Sequence, residues 1–247
     1  MKILISNDDG IDAAGIRALV RAFGAAGYDV VVGAPDSQRS AASHSMTFAR
    51  PLAVSERQLD GASRAFAIGG TPVDCVKLAL HALCPDAEAV VSGINHGYNA
   101  GSDVLYSGTV GAAMEGALNG RPALAVSLAH GDDHFDAAAS LAVRIFQRMM
   151  ENPLPPLTVL NLNHPASARA AGVKAAPIKP THYTESYAPC VLEDGRPGYH
   201  LVPGDGPDKT PPGDDDWSWL EAGYATLTAL TFDMTDREAT RALKGLF

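Results

Sequence analysis

A chain of 247 residues, 46% of them hydrophobic, can bury one large core and is too apolar for a disordered polymer. A formal net charge of −9 without any basic run excludes a nucleic-acid polymer groove, where phosphate neutralisation by Lys and Arg dominates affinity. No apolar run approaches the roughly 20 residues that span a bilayer, so no membrane segment is expected. Three cysteines, Cys75, Cys84 and Cys190, lack Cys-x-x-Cys spacing and suit a reducing, cytoplasmic compartment. The apolar run at residues 3–5 is too short for a signal-peptide core.

Residues 3–6 read as a buried strand, and the chain from Asp12 onward as a helix with Ile16, Leu19, Val20 and Phe23 on one face. Gly27 closes that helix, and residues 29–32 form a second buried strand. Strand, helix and strand within some thirty residues make a βαβ unit, which implies a parallel sheet. Residues 34–50 are polar, small and aperiodic, the pattern of a long functional loop. A strand at 65–68 ends in Gly69-Gly70, and Thr71-Pro72-Val73-Asp74 opens a helix with Thr at the N-cap and Pro behind it. Further strands are expected at 89–91, 123–128 and 157–162, with helices over 109–118 and along Leu141, Ile145, Phe146 and Met149. Beyond Pro180 the composition shifts to Pro, Gly and Asp. Short strands at 190–192 and 199–202 flank a Glu193-Asp194-Gly195-Arg196 turn. Alternation over 224–232 predicts a last strand, and a short helix follows Thr235. The expected fold is α/β: a Rossmann-like, open, mostly parallel sheet with a C-terminal extension and a projecting β-hairpin. It divides into a core (1–179), an oligomerisation arm (180–216) and a closing strand and helix (217–247).

Asn7-Asp8-Asp9-Gly10 lies directly behind the first strand, at the sheet edge where open α/β folds bind ligands. Two carboxylates about 4 Å apart repel by roughly 4 kcal/mol at an effective dielectric near 20 unless a cation lies between them. A divalent metal is one reading of the turn; ordinary turn and cap chemistry is the other. The stretch from Ser92 to Gly101 leaves the same edge and offers polar groups and glycines, with Asn95 and Asn99 as substrate-binding candidates. A glycine-rich turn with asparagines in left-handed conformations is the other reading, and the density of polar groups favours the functional one. Ser107-Gly108-Thr109 opens a helix, either as a phosphate site of hydroxyls and free N–H groups or as a simple cap by Thr109. His130-Gly131-Asp132-Asp133-His134 is read as a solvated loop with caps, and Asp214-Asp215-Asp216 as a solvated charge run. Neither a Gly-x-Ser-x-Gly elbow nor a Gly-x-Gly-x-x-Gly fingerprint nor a Walker loop occurs in the expected places.

Five stretches then occur in order: Asn7-Asp8-Asp9-Gly10; Ala34-Pro35-Asp36 leading into Arg39-Ser40-Ala41-Ala42-Ser43; Gly70 to Val76; Ser92-Gly93-Ile94-Asn95; and Tyr106-Ser107-Gly108-Thr109-Val110 running on to Glu115-Gly116. With them the chain resembles the SurE-type survival-protein family of metal-dependent 5′/3′-nucleotidases. The resemblance implies hydrolysis of nucleoside 5′- and 3′-monophosphates and one divalent ion, Mg²⁺ or Mn²⁺, per subunit. Its ligands would be Asp8, Asp9, Ser40 and Asn95, with Asp8 and Asp9 also catalytic. Ser107, Gly108 and Thr109 would hold the phosphate. A homodimer or homotetramer is implied as well. The chain carries Ala41 where the family usually has glycine, and residues 213–221 depart from its usual pattern. A metal-dependent glycosyltransferase and a catalytically idle nucleotide-binding module are the other classes such a pattern admits.

Overall fold

A computed structural model describes residues 1–181, 183–202, 204 and 213–244. The first strand, β1 (Lys2–Ser6), feeds helix α1 (Ala14–Ala25) and then β2 (Asp29–Pro35). β2 lies parallel to β1, with Ile3 opposite Val30 and Ile5 opposite Val32. Side chains along β1 alternate between two buried faces. Ile3 and Ile5 join the core beneath α1, while Leu4 joins a second core on the other side. Burial on both faces is why this strand reads as a continuous apolar run.

The chain continues through β3 (Val54–Arg57), β4 (Arg64–Ile68), α2 (Pro72–Leu78), β5 (Ala89–His96), α3 (Gly108–Leu118), β6 (Ala123–Leu128), α4 (Phe135–Glu151) and β7 (Thr158–His164). After them come β8 (Val173–Ala175), β9 (Ser186–Val191), β10 (Pro197–Val202), α5 (Asp216–Glu221), β11 (Ala225–Thr231) and α6 (Arg237–Leu243). Among the described residues one nine-stranded sheet forms in the order β3-β4-β2-β1-β5-β6-β7-β11-β8, and β9 pairs with β10 in a separate antiparallel hairpin. The six central strands are parallel; β3 and β11 run antiparallel to their neighbours β4 and β7. From β1 the chain first builds outward through β2 and β4, then crosses back to place β5 on the other flank of β1. The gap beyond the carboxyl ends of β1 and β5 is therefore the topological switch point, where such sheets hold ligands.

Helices α1 and α4 cover one face, where Phe146 meets Phe23 and Tyr28 edge to face and those two rings are tilted against each other. Helices α2 and α3 cover the other. Thr71 caps α2 in a reciprocal box with Asp74, as its sequence predicts. That helix ends at Leu78 and widens into a π turn over Ala79–Leu83. Strands β3 and β8 and helix α5 are absent from the sequence reading. β3 is fully exposed and β8 is three residues long, so neither carries a hydrophobic period. β5 also outruns its expected end at residue 91, reaching His96 through a register shift between Ser92 and Asn95. No helix of the described residues is long and apolar enough to cross a membrane.

Candidate active site

The turn behind β1 is closed by a side chain: Asn7 Nδ2 donates to Gly10 O at 2.8 Å across the two carboxylates at the sheet edge. Asp8 is buried and Asp9 partly so. Burial pushes the Asp8 carboxyl up to about 6; the Thr109 hydroxyl pulls it down and the Asp9 charge adds to the rise. Burial also raises Asp9, opposed by the His96 N–H, which donates to Asp9 Oδ2 at 3.2 Å. The long loop over residues 36–50 folds back on this turn through Arg39 N, which donates to Asp8 O at 2.7 Å. It brings Ser40 to the site, where Gln38 Nε2 donates to Ser40 Oγ at 2.9 Å. From β5, Asn95 uses its amide N–H on Gly97 O at 2.8 Å, which leaves its Oδ1 as an acceptor.

These groups share one open cleft of about 240 Å³ at the switch point: Asp8, Asp9, Ser40, Asn95, Asn99 and Ser107 all line it. Asn99 is anchored from β6 and β7. Its amide donates to Ser127 Oγ at 2.8 Å, and its backbone is bracketed by Asn161 and Asn163. Gln38, Ala41, His96, Tyr98, Asp103 and Tyr106 complete the lining, and the sequence marks none of them as a site residue. His96 and Tyr98 lie inside the polar stretch over residues 92–101, whereas Gln38 and Asp103 have no local signature.

Helix α3 meets the cleft differently from the sequence expectation of a Thr109 cap. Ser107 is the N-cap, its Oγ accepting from Val110 N at 3.0 Å. Thr109, fully buried, donates its hydroxyl to Asp8 Oδ1 instead. Gly108 lies against the same carboxylate: a Cβ there would sit 2.9 Å from Asp8 Cβ and 3.0 Å from Oδ2. The first turn of α3 thus backs directly onto Asp8. Ser107 reaches the cleft, while Gly108 and Thr109 are not among its lining residues.

Asp216 overturns a second expectation. Read as part of a solvated charge run, it is completely buried. Its carboxylate accepts from Gly101 N at 2.8 Å, Lys179 N at 2.9 Å and Trp217 N at 2.9 Å. Asp215 caps α5 through Ser218 N, and Asp214 accepts from Trp219 Nε1. Together with Ser102 and Thr181, which exchange side-chain and backbone hydrogen bonds, Asp216 ties the cleft loop to the foot of the C-terminal arm. Tyr183 adds a bond from its hydroxyl to Asp103 Oδ2 at 2.5 Å.

The loop after β6 sits beside the cleft rather than in it. Gly131 N donates to His96 Nε2 at 2.9 Å, and the His96 and His130 rings stack 5.0 Å apart. Donor atoms of Asp132, Asp133 and His134 lie within 4.8 Å of one another, but Asp133 and His134 are exposed. His134 precedes α4 without a side-chain cap, so the expected capping role is not taken up.

The cleft's donor set is chemically uniform. Carboxylates of Asp8 and Asp9, the Ser40 hydroxyl and the Asn95 carbonyl oxygen are hard oxygen donors, with no thiolate among the lining residues. Such a set fits Mg²⁺ or Mn²⁺. Two carboxylates whose burial disfavours their charged form, one at about 6, would gain from a cation at the same place.

The family model for the survival protein SurE matches residues 3–185. The chain is 43% identical over 251 aligned residues to 5′-nucleotidase SurE of Aeromonas hydrophila, covering 100% of this chain and 97% of that relative. It is 41% identical to 5′-nucleotidase SurE of Xanthomonas campestris, covering 99% and 95%. The crystal structure of the SurE protein from Aquifex aeolicus superposes with a TM-score of 0.84 at 31% identity, over 100% of this chain and 99% of that one. The chain belongs to the survival protein SurE family.

Proposed function

We propose that the cleft at the switch point hydrolyses nucleoside 5′- and 3′-monophosphates to nucleoside and phosphate, using one Mg²⁺ or Mn²⁺ per subunit. The observation that carries this reading is the meeting of two buried or half-buried carboxylates with the start of α3 in one cleft. A phosphate ester needs both parts: a cation for its charge and donors for its oxygens. Asp8, Asp9, Ser40 and Asn95 would hold the ion, which when bound supplies charge neutralisation and polarises a phosphoryl oxygen. Ser107 and the free N–H groups at the start of α3, beside Asp8, would orient the phosphate. Asn99, held rigidly by Asn161 and Asn163, would bond the substrate without having to be ordered first. Asp9, the more exposed of the pair, would orient the attacking water. The closeness in sequence of relatives named 5′-nucleotidase supports the substrate class. Phosphate release from nucleoside monophosphates with Mn²⁺, with and without chelator, tests the reading; release that persists undiminished in chelator would overturn it.

The hairpin supports an assembled state. Directly opposed pairs place Tyr187 with Leu201, Pro189 with Tyr199 and Val191 with Pro197 on one face. Tyr187, Tyr199 and Val191 are 70%, 71% and 76% exposed. A two-stranded hairpin is marginal in water, and one with an apolar face calls for a partner surface. A second copy of this chain, in a homodimer or homotetramer in the cytoplasm, would cover it.

A further inference from the structure

We infer that His44, held by Glu115, positions Ser40 beside the Asp8–Asp9 pair, so that cation affinity is set partly from outside the cleft. The inference rests on the reading of Asp8, Asp9, Ser40 and Asn95 as the ion's ligands. Ser40 comes from a loop with no regular structure that contains two non-glycine residues in the left-handed region, Ala41 at φ 55° and Ser43 at φ 54°. Each such conformation is strained for a residue with a Cβ, and a loop keeps it only when its surroundings over-determine it.

Before Ser40 the loop is tied by Asp36 N to Ile68 O at 3.0 Å and by Arg39 N to Asp8 O at 2.7 Å. After Ser40 it is tied to the turn before α3: Ser43 N donates to Tyr106 O at 3.0 Å and Ser43 Oγ to Leu105 O at 2.7 Å. Gly111 then admits the loop backbone onto α3, because a Cβ there would stand 2.6 Å from Ser43 O. One side-chain bond joins the loop to the body of that helix. His44 Nε2 meets Glu115 Oε2 at 3.1 Å.

Glu115 is built as a fixed post. Its side chain is 6% exposed, and its other oxygen accepts from Lys77 Nζ at 2.7 Å and Asn119 Nδ2 at 2.9 Å. Burial alone would push this carboxyl up; the bonds from His44, Lys77 and Asn119 instead hold it at about 2, so it is ionised at neutral pH. A buried carboxylate held from two helices cannot follow the loop, so the loop must follow it. His44 lies four residues from Ser40 and is not among the residues lining the cleft, which makes it a positioning residue. Without it, the left-handed turn at Ala41 and Ser43 loses one of its restraints, and Ser40 is held less closely to the carboxylates by the Arg39 and Ser43 bonds that remain.

Calorimetric Mn²⁺ titration of wild type, His44→Ala, His44→Gln and Lys77→Met, paired with nucleotide hydrolysis at varied Mn²⁺, tests the assignment. His44→Ala is expected to weaken Mn²⁺ about tenfold while turnover at saturating Mn²⁺ is retained. His44→Gln, whose amide N–H can reach the same carboxylate, should restore most of the affinity. Lys77→Met should lower the melting temperature and leave Mn²⁺ affinity unchanged. Wild-type Mn²⁺ affinity in His44→Ala would overturn the inference, as would a loss in Lys77→Met equal to that in His44→Ala. A wild-type protein that binds no Mn²⁺ would overturn the reading of the cleft itself.

Discussion

Thr109, on the first turn of α3, donates its hydroxyl to Oδ1 of Asp8, the first carboxylate after β1. A helix start and a strand end are thereby bonded through the most buried acid of the cleft. Thr109→Val keeps the shape and removes the donor, so Asp8 remains buried with one bond fewer. Stability should fall by about 1–3 kcal/mol, and phosphate release by about 10–100-fold. Ser107→Ala removes the helix cap and should cost about 1 kcal/mol in urea melts. Turnover in Thr109→Val equal to wild type would show that the bond does not serve the reaction.

Asp8 carries a pH signature in the metal-free protein. Its folded-state value is about 6 against an ordinary 3.8, raised chiefly by burial. Between those values the folded state binds more protons than the unfolded one, so apo stability falls as pH rises through the window. The upper limit of the loss is about 3 kcal/mol. Asp8→Asn should therefore melt higher than wild type at pH 8 in chelator, converge with it near pH 4, and be inactive with Mn²⁺. Parallel melting curves across that range would contradict the assignment.

Asp216→Ala removes one carboxylate that accepts from Gly101, Lys179 and Trp217 N–H groups. Three donors lose their partner at once, at a cost of roughly 3 kcal/mol or more. Because Gly101 belongs to the loop that carries Asn99, the KM for nucleotide should rise as well. Hydrogen exchange should show faster exchange at Gly101 and Lys179 than in wild type; unchanged protection at both would sink the clamp.

Replacing residues 187–202 with a short Gly-Ser bridge removes the apolar face of the hairpin. Light scattering should report a smaller assembly, with Mn²⁺ binding retained because none of the four proposed ligands lies in the arm. An unchanged assembly would place the subunit contact elsewhere, and so would a wild-type chain that is monomeric at micromolar concentration.

Local pattern was enough for β1, α1, β2, the Thr71 capping box and the hairpin turn, because burial period, caps and turn residues act over a few positions of chain. It was also enough to put Asp8, Asp9 and Asn95 at one sheet edge, since every parallel strand points its carboxyl end the same way. Ser40 was reached only through the family resemblance, as nothing local marks that loop as part of a site. The tertiary structure alone decided which hydroxyl caps α3: Thr109 turns away from the cap because Asp8, a hundred positions earlier, offers a buried acceptor. It decided the fate of Asp216 for the same reason. Three aspartates in a polar stretch look solvated until backbone N–H groups from residues 101 and 179 converge on one of them. Strands β3 and β8 exist only by pairing with β4 and β11, and pairing between distant segments leaves no period in the sequence of a short, exposed edge.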